Sequence, residues 1–101
     1  MNHWEVNLAE DYCSRAIIKM SEGDVHGAIE EWTTALGLQT DGWTYFFRGQ
    51  AFLLIHHNDD ALKDFQRAQA MGLPVHHDFI DICTRSARTK DDHGIEQSTI
   101  S

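Results

Sequence analysis

The chain has a single proline and only two cysteines in 101 residues. Cys13 and Cys83 lie far apart with no second pair, which argues against a disulfide scaffold and for a reducing compartment. Basic residues are scarce too: eight Lys and Arg stand against sixteen Asp and Glu, for a formal net charge of -8. A phosphate-binding surface needs the opposite balance, so nucleic acid is not an expected partner. The same sign disfavours an anionic membrane surface, and no apolar run approaches the roughly 20 residues that a bilayer requires. Met1 to Glu10 carries acids and no basic stretch, so no secretory signal is read there. These absences leave a soluble, acidic chain, expected to be cytoplasmic and of a length suited to one domain.

What is present is helical periodicity nearly throughout. Leu8, Tyr12, Ala16 and Met20 recur once per turn, until Gly23-Asp24 breaks the pattern. Asp24 is suited to cap a second helix, because its carboxylate accepts the backbone N–H groups left free at a helix start. That helix carries Ala28, Ile29, Trp32, Ala35 and Leu36 as one stripe. After Gln39-Thr40-Asp41-Gly42, with Asp41 or Thr40 as the next cap, a third helix is predicted over about Trp43 to His56. Asn58 or Asp59 is expected to cap a fourth, carrying Ala61, Leu62, Phe65 and Ala68, which Gly72-Leu73-Pro74 ends. A fifth is predicted over residues 75–89, with Phe79, Ile82, Cys83 and Ala87 on one face, and a polar, disordered tail over 91–101. No stretch reads as a strand, and the expected class is all-α.

The first two helices recur as the third and fourth. A shift of 33 residues aligns Tyr12 with Tyr45, Arg15 with Arg48, Ala16 with Gly49, Ala28 with Ala61, Trp32 with Phe65 and Ala35 with Ala68. Small residues stand where two helices must approach closely, and large aromatics where one pair meets the next. A helix–turn–helix unit of this length and pattern is a solenoid signature.

On these residues the chain resembles the tetratricopeptide repeat family. The run Tyr45-Phe46-Phe47-Arg48-Gly49-Gln50-Ala51-Phe52, followed by Asp60-Ala61-Leu62, Phe65 and Ala68, is similar to one such repeat. Tyr12 to Ala16, Gly23-Asp24, Ala28, Trp32 and Ala35 are similar to a second. Lys19 departs from the family's usual aromatic, and His56 from its usual turn glycine. The resemblance implies a right-handed superhelical stack of five helices in a single domain over residues 1–90. Repeat one would take 9–41, repeat two 42–74, and a capping helix 75–89.

In this family the first helix of each pair lines a concave face. Carried onto this chain, that face draws on Glu10, Cys13, Ser14 and Ile17, then on Trp43, Phe46, Phe47, Gln50 and Leu54. The expected function is an adaptor or assembly factor whose aromatic groove takes a partner protein's helix or peptide. In it Trp43, Phe46 and Phe47 would anchor apolar groups while Gln50, Ser14 and Glu10 orient polar ones. The alternative, that Phe46 or Phe47 packs against the fifth helix, stays open on sequence. The family's carboxylate clamp is not expected, because Cys13 and Ile17 stand where its first lysine and asparagine would fall. Two repeats are also fewer than such stacks usually need, so a homodimer whose aromatic face is used in self-association is the main rival.

Seven histidines invite a metal reading. None has the two-turn spacing of a zinc-binding helix, and no C-x-x-C occurs, so solvated turn histidines are expected and no cofactor or metal. A histidine-based metal- or pH-responsive regulator is the lesser alternative. The acid pairs Glu30-Glu31, Asp59-Asp60 and Asp91-Asp92 are sequence neighbours and point apart on a helix, and neither cysteine has assignable catalytic partners, so no enzyme is expected. Charge is uneven along the chain: residues 1–42 hold eight acids and two bases, residues 43–101 eight acids and six bases.

Overall fold

Helix starts and stops along this chain follow from local chemistry that is visible residue by residue. The structure, a computed structural model, describes residues 7–85. Within them α1 spans Leu8–Ser21, α2 Val25–Leu38, α3 Gly42–Leu54 and α4 Asn58–Ala70. A fifth helical segment, α5, covers residues 77–85. No strand occurs among the described residues, so the class is all-α. No helix among them is long and apolar enough to cross a membrane.

Asn7 caps α1, its side chain accepting from the Glu10 N–H at 3.2 Å, and Asp24 caps α2 by accepting from the Gly27 N–H at 2.9 Å. At the other end, α1, α3 and α4 all stop by one device. Each ends in a left-handed residue, Gly23 (φ +84°), His56 (φ +64°) and Gly72 (φ +93°). The next amide reaches back five residues to close the last turn, from Asp24 to the Lys19 carbonyl, His57 to Phe52 and Leu73 to Ala68. His56 therefore occupies the backbone position that Gly23 fills one unit earlier, and carries the side-chain strain that a glycine avoids.

Helices α1 and α2 pack on each other, α3 and α4 do likewise, and the two pairs meet along α2 and α3. The first core is built on Ala16, Ala28, Trp32 and Ala51, with Cys13, Met20, Val25 and Ile29 packed against them. The second holds Ala61, Phe65, Ala68, Val75 and Cys83, with Phe46, Phe52, Leu53 and Phe79 around them. The small/large pattern has a measurable reason at Gly49. A methyl group there would stand 2.8 Å from Cε1 of the Phe65 ring, so α3 and α4 come closer than any residue but glycine allows.

Several boundaries differ from expectation. His57, not Asn58 or Asp59, is the cap residue of α4, and its side chain makes no capping bond. The helix α3 begins at Gly42 and ends at Leu54, short of His56, because His56 is consumed by the left-handed turn. The fifth helix starts at residue 77 and not 75. Pro74 disfavours helical backbone at Leu73 before it, Val75 is buried ahead of the helix, and His76 then caps it by accepting the Asp78 N–H on Nδ1 at 3.1 Å. The expected tail over 91–101 and the end of the capping helix lie outside the described residues.

Candidate functional site

Residues 10, 13, 14 and 17 are spaced by three and four, which puts Glu10, Cys13, Ser14 and Ile17 on one face of α1. That face looks across to the start of α3, where Trp43, Thr44 and Phe47 share a side. Together with Asp41 and the ring of Trp32 from α2, they enclose a cleft of about 310 Å³. Its apolar groups are uncovered: Ile17 is 57% and Trp43 54% exposed.

The aromatic wall is a ladder of three nearly parallel rings. Trp32 and Phe47 stack at 6.2 Å between centroids with 19° between planes, and Phe47 and Trp43 at 5.9 Å with 27°. Offset stacks of this kind contribute about 0.5–1.5 kcal/mol per pair beyond the area they bury. Trp32 is almost fully buried, and its indole N–H has no hydrogen-bond partner among the described residues.

A short polar chain fixes α1 to the entry of α3. The Thr44 hydroxyl donates to Asp41 Oδ2 at 3.2 Å, so its one proton is used. The 3.4 Å contact between Cys13 Sγ and Thr44 Oγ1 is then made by the thiol's proton. This chain separates the aromatic cleft from a second depression of about 240 Å³, bounded further out by Asn7, Ala9 and Gln39. Neither depression is lined by a histidine, and the groups facing Cys13 are a hydroxyl and, beyond it, a carboxylate.

Arg48 holds α3 in place from the other side. Its Nε donates to Asp64 Oδ2 and its Nη2 to Asp64 Oδ1, both at 2.7 Å, while Nη1 donates to the Thr33 hydroxyl at 3.0 Å. One guanidinium thus ties α3 to α4 and to α2. The bond to Asp64 raises the pKa of Arg48 further above its ordinary value, outweighing the opposite pull of burial. Asp64 is 1% exposed, and a buried carboxylate needs this pairing to be tolerated.

The residues expected at the groove fall into three groups. Glu10, Ser14, Ile17, Trp43 and Phe47 come together around the cleft. Gln50, half-buried, and Leu54, exposed, lie further along α3 and do not line it. Phe46 departs from its expected role as an anchor. It is half-buried and reaches into the second core, 5.8 Å from Phe65 and 5.1 Å edge-on from Phe79, because α5 covers that side of α3. Of the pair left open by sequence, Phe46 faces the fifth helix and Phe47 the cleft.

Trp32, Asp41 and Thr44 line the cleft without having been expected there. Trp32 reads as a core residue by its spacing, and it is one, but the edge of its burial forms the cleft wall. Asp41 and Thr44 stand three residues apart at a helix start, a pattern that signals capping and not recognition.

The histidines sort differently from any catalytic grouping. His57 stacks on Phe52 and lies 3.7 Å from Asp60. His76, His77 and Asp78 do gather, with potential ligand atoms within 4.8 Å of one another. They are consecutive, exposed residues at the start of α5, with the two rings stacked 4.4 Å apart and both facing the same carboxylate. Such a cluster offers a cation no enclosed coordination shell.

Compared with known proteins, the chain matches no family model, no curated protein and no solved structure.

Proposed function

We propose that the chain is a protein-interaction module of the tetratricopeptide type. In this reading the two helix pairs form a right-handed superhelical stack closed by α5, and the cleft receives a helix or extended segment of a partner protein. The observation that carries it is the ring ladder. Trp43 and Phe47 stand at the mouth of a cleft with Ile17 opposite, three apolar side chains held by α1 and α3 that each keep an exposed surface. Aromatic anchors in partly enclosed clefts are where interfaces concentrate binding energy. The groups lining the cleft suit contact and desolvation; no nucleophile–base pair stands among them, so binding and not catalysis is the proposed activity, in a cytoplasmic setting.

The test is Phe47→Ala. A partner captured by the wild-type chain from native lysate should bind this variant about 1–3 kcal/mol more weakly, with unchanged helical circular dichroism. Loss of helicity would assign Phe47 to the core and remove the groove.

The exposure of Ile17, Trp43 and Leu54 along one side favours a second reading, self-association through that face. Sedimentation equilibrium separates the two. A dimer at tens of micromolar that becomes monomeric with Phe47→Ala means the face is used between copies; a monomer in both leaves it to another protein.

A further inference from the structure

The chemistry of the cleft's occupant is legible in what lines the cleft and in how the same groups are completed elsewhere in the fold. Two carboxylates, Glu10 and Asp41, stand beside Trp43, Phe47 and Trp32, and no Lys, Arg or His is among the lining residues. The Glu10 carboxylate has no partner among the described residues, and Asp41 has one oxygen, Oδ1, uncommitted after Thr44 takes Oδ2. In the second helix pair a comparable set, half-buried rings and a buried acid, is complete. There the Arg48 guanidinium lies 5.8 Å from the Tyr45 centroid and 5.5 Å from that of Phe52, gripped by both oxygens of Asp64. Arg67 repeats the theme, 5.7 Å from Tyr45 and 3.6 Å from Asp64, and Arg15 lies 4.8 Å from the Tyr12 centroid. The cleft has the rings and the acids of this arrangement without its cation.

Charge around the cleft has the same sign. The first 42 residues hold eight acids and two bases, and both bases are engaged, Arg15 on Tyr12 and Lys19 with Asp24 at 3.7 Å. An arginine fits better than a lysine because its planar, weakly hydrated guanidinium stacks on an indole while its edge donates to carboxylates.

Resting on the interaction-module reading, we infer that the cleft takes an arginine side chain from a basic, apolar partner segment. The guanidinium lies against the exposed face of Trp43 and donates to Glu10 and Asp41, and an adjoining aliphatic side chain rests on Ile17 and Phe47.

The probes are two acetylated, amidated hexapeptides alternating leucine with arginine or with citrulline, which keeps the shape and removes the charge. Each is titrated into the full chain while the indole N–H resonances of Trp43 and Trp32 are followed by NMR. At low ionic strength the arginine peptide should bind about tenfold more tightly, with Trp43 shifting. That preference should collapse in the Glu10→Gln/Asp41→Asn double variant, in which both changes are at exposed positions and Asp41→Asn keeps an oxygen acceptor for Thr44. Equal binding of the two peptides at Trp43 overturns the arginine inference and leaves the groove standing. A preference that survives the double variant overturns it as well, since the charge would be read elsewhere. If neither peptide moves Trp43, the inference and the groove fall together.

Discussion

Where α1 carries Arg15, α3 carries Arg48, and where α2 carries Glu31, α4 carries Asp64, each pair related by the same 33-residue shift. In the second helix pair these residues form a bidentate ion pair at 2.7 Å around a carboxylate that is 1% exposed. In the first, Arg15 lies over Tyr12 and Glu31 is only half-buried. The difference follows from what covers each pair. In the second pair α2 lies against the ion pair, its Thr33 hydroxyl accepting from Arg48 at 3.0 Å, and the buried acid needs its base. No described helix does this for the outer side of α1 and α2, where charges stay hydrated and pairing gains little. One pattern of residue types thus gives a tightly determined unit when covered and a looser, acidic one when not. The cleft lies where the two units meet, lined by residues of both.

Removing the acids one at a time should give the largest difference between the two pairs. Asp64→Ala leaves a half-buried guanidinium without its acid and should cost about 2–4 kcal/mol in chemical denaturation, whereas Glu31→Ala should stay within about 0.5 kcal/mol. Equal losses would mean that the two pairs are held alike.

A smaller effect should appear where the helices cross. Gly49→Ala improves helix propensity but drives a methyl into the Phe65 ring, which Phe46 and Phe79 prevent from moving aside. A net loss of about 1–2 kcal/mol is expected, read as a lower thermal midpoint. At the matching Ala16 the methyl is already accommodated. A stabilised Gly49→Ala would show that the second pair has slack comparable to the first.

The smallest effect concerns the turn between the helices of each pair. His56→Gly should stabilise the fold by about 0.5–1 kcal/mol, since His56 at φ +64° holds a backbone conformation that Gly23 adopts at no steric cost. An unchanged denaturation midpoint would mean that the imidazole offsets the strain through contacts of its own.

Much of this was legible beforehand. The period of Leu8, Tyr12 and Ala16, the Asp24 cap, and the alternation of small and large residues located α1 to α4 to within about two residues. These features are local, and a helix start or stop is decided by hydrogen bonds within one turn. The start of α5 is not legible locally, because Val75 is drawn into the core ahead of the helix. Asn58 and Asp59 are better capping residues than His57, yet His57 closes the last turn of α3 and α4 starts directly after it.

Adjacent phenylalanines show where legibility stops. Phe46 and Phe47 are chemically identical and one residue apart, so their side chains point about 100° apart around α3. Sequence alone determined that the chain is helical, that its helices come in two related pairs, and that aromatic residues crowd the start of α3. Packing between helices places Phe46 against Phe65 and Phe79 and Phe47 against Trp32 and Trp43, gives Arg48 a buried acid, and puts Glu10 and Asp41 on the lining of one cleft. The physical reason is that periodicity says which residues share a face. What that face meets depends on elements far away in the chain, here α5 on one side and α1 on the other.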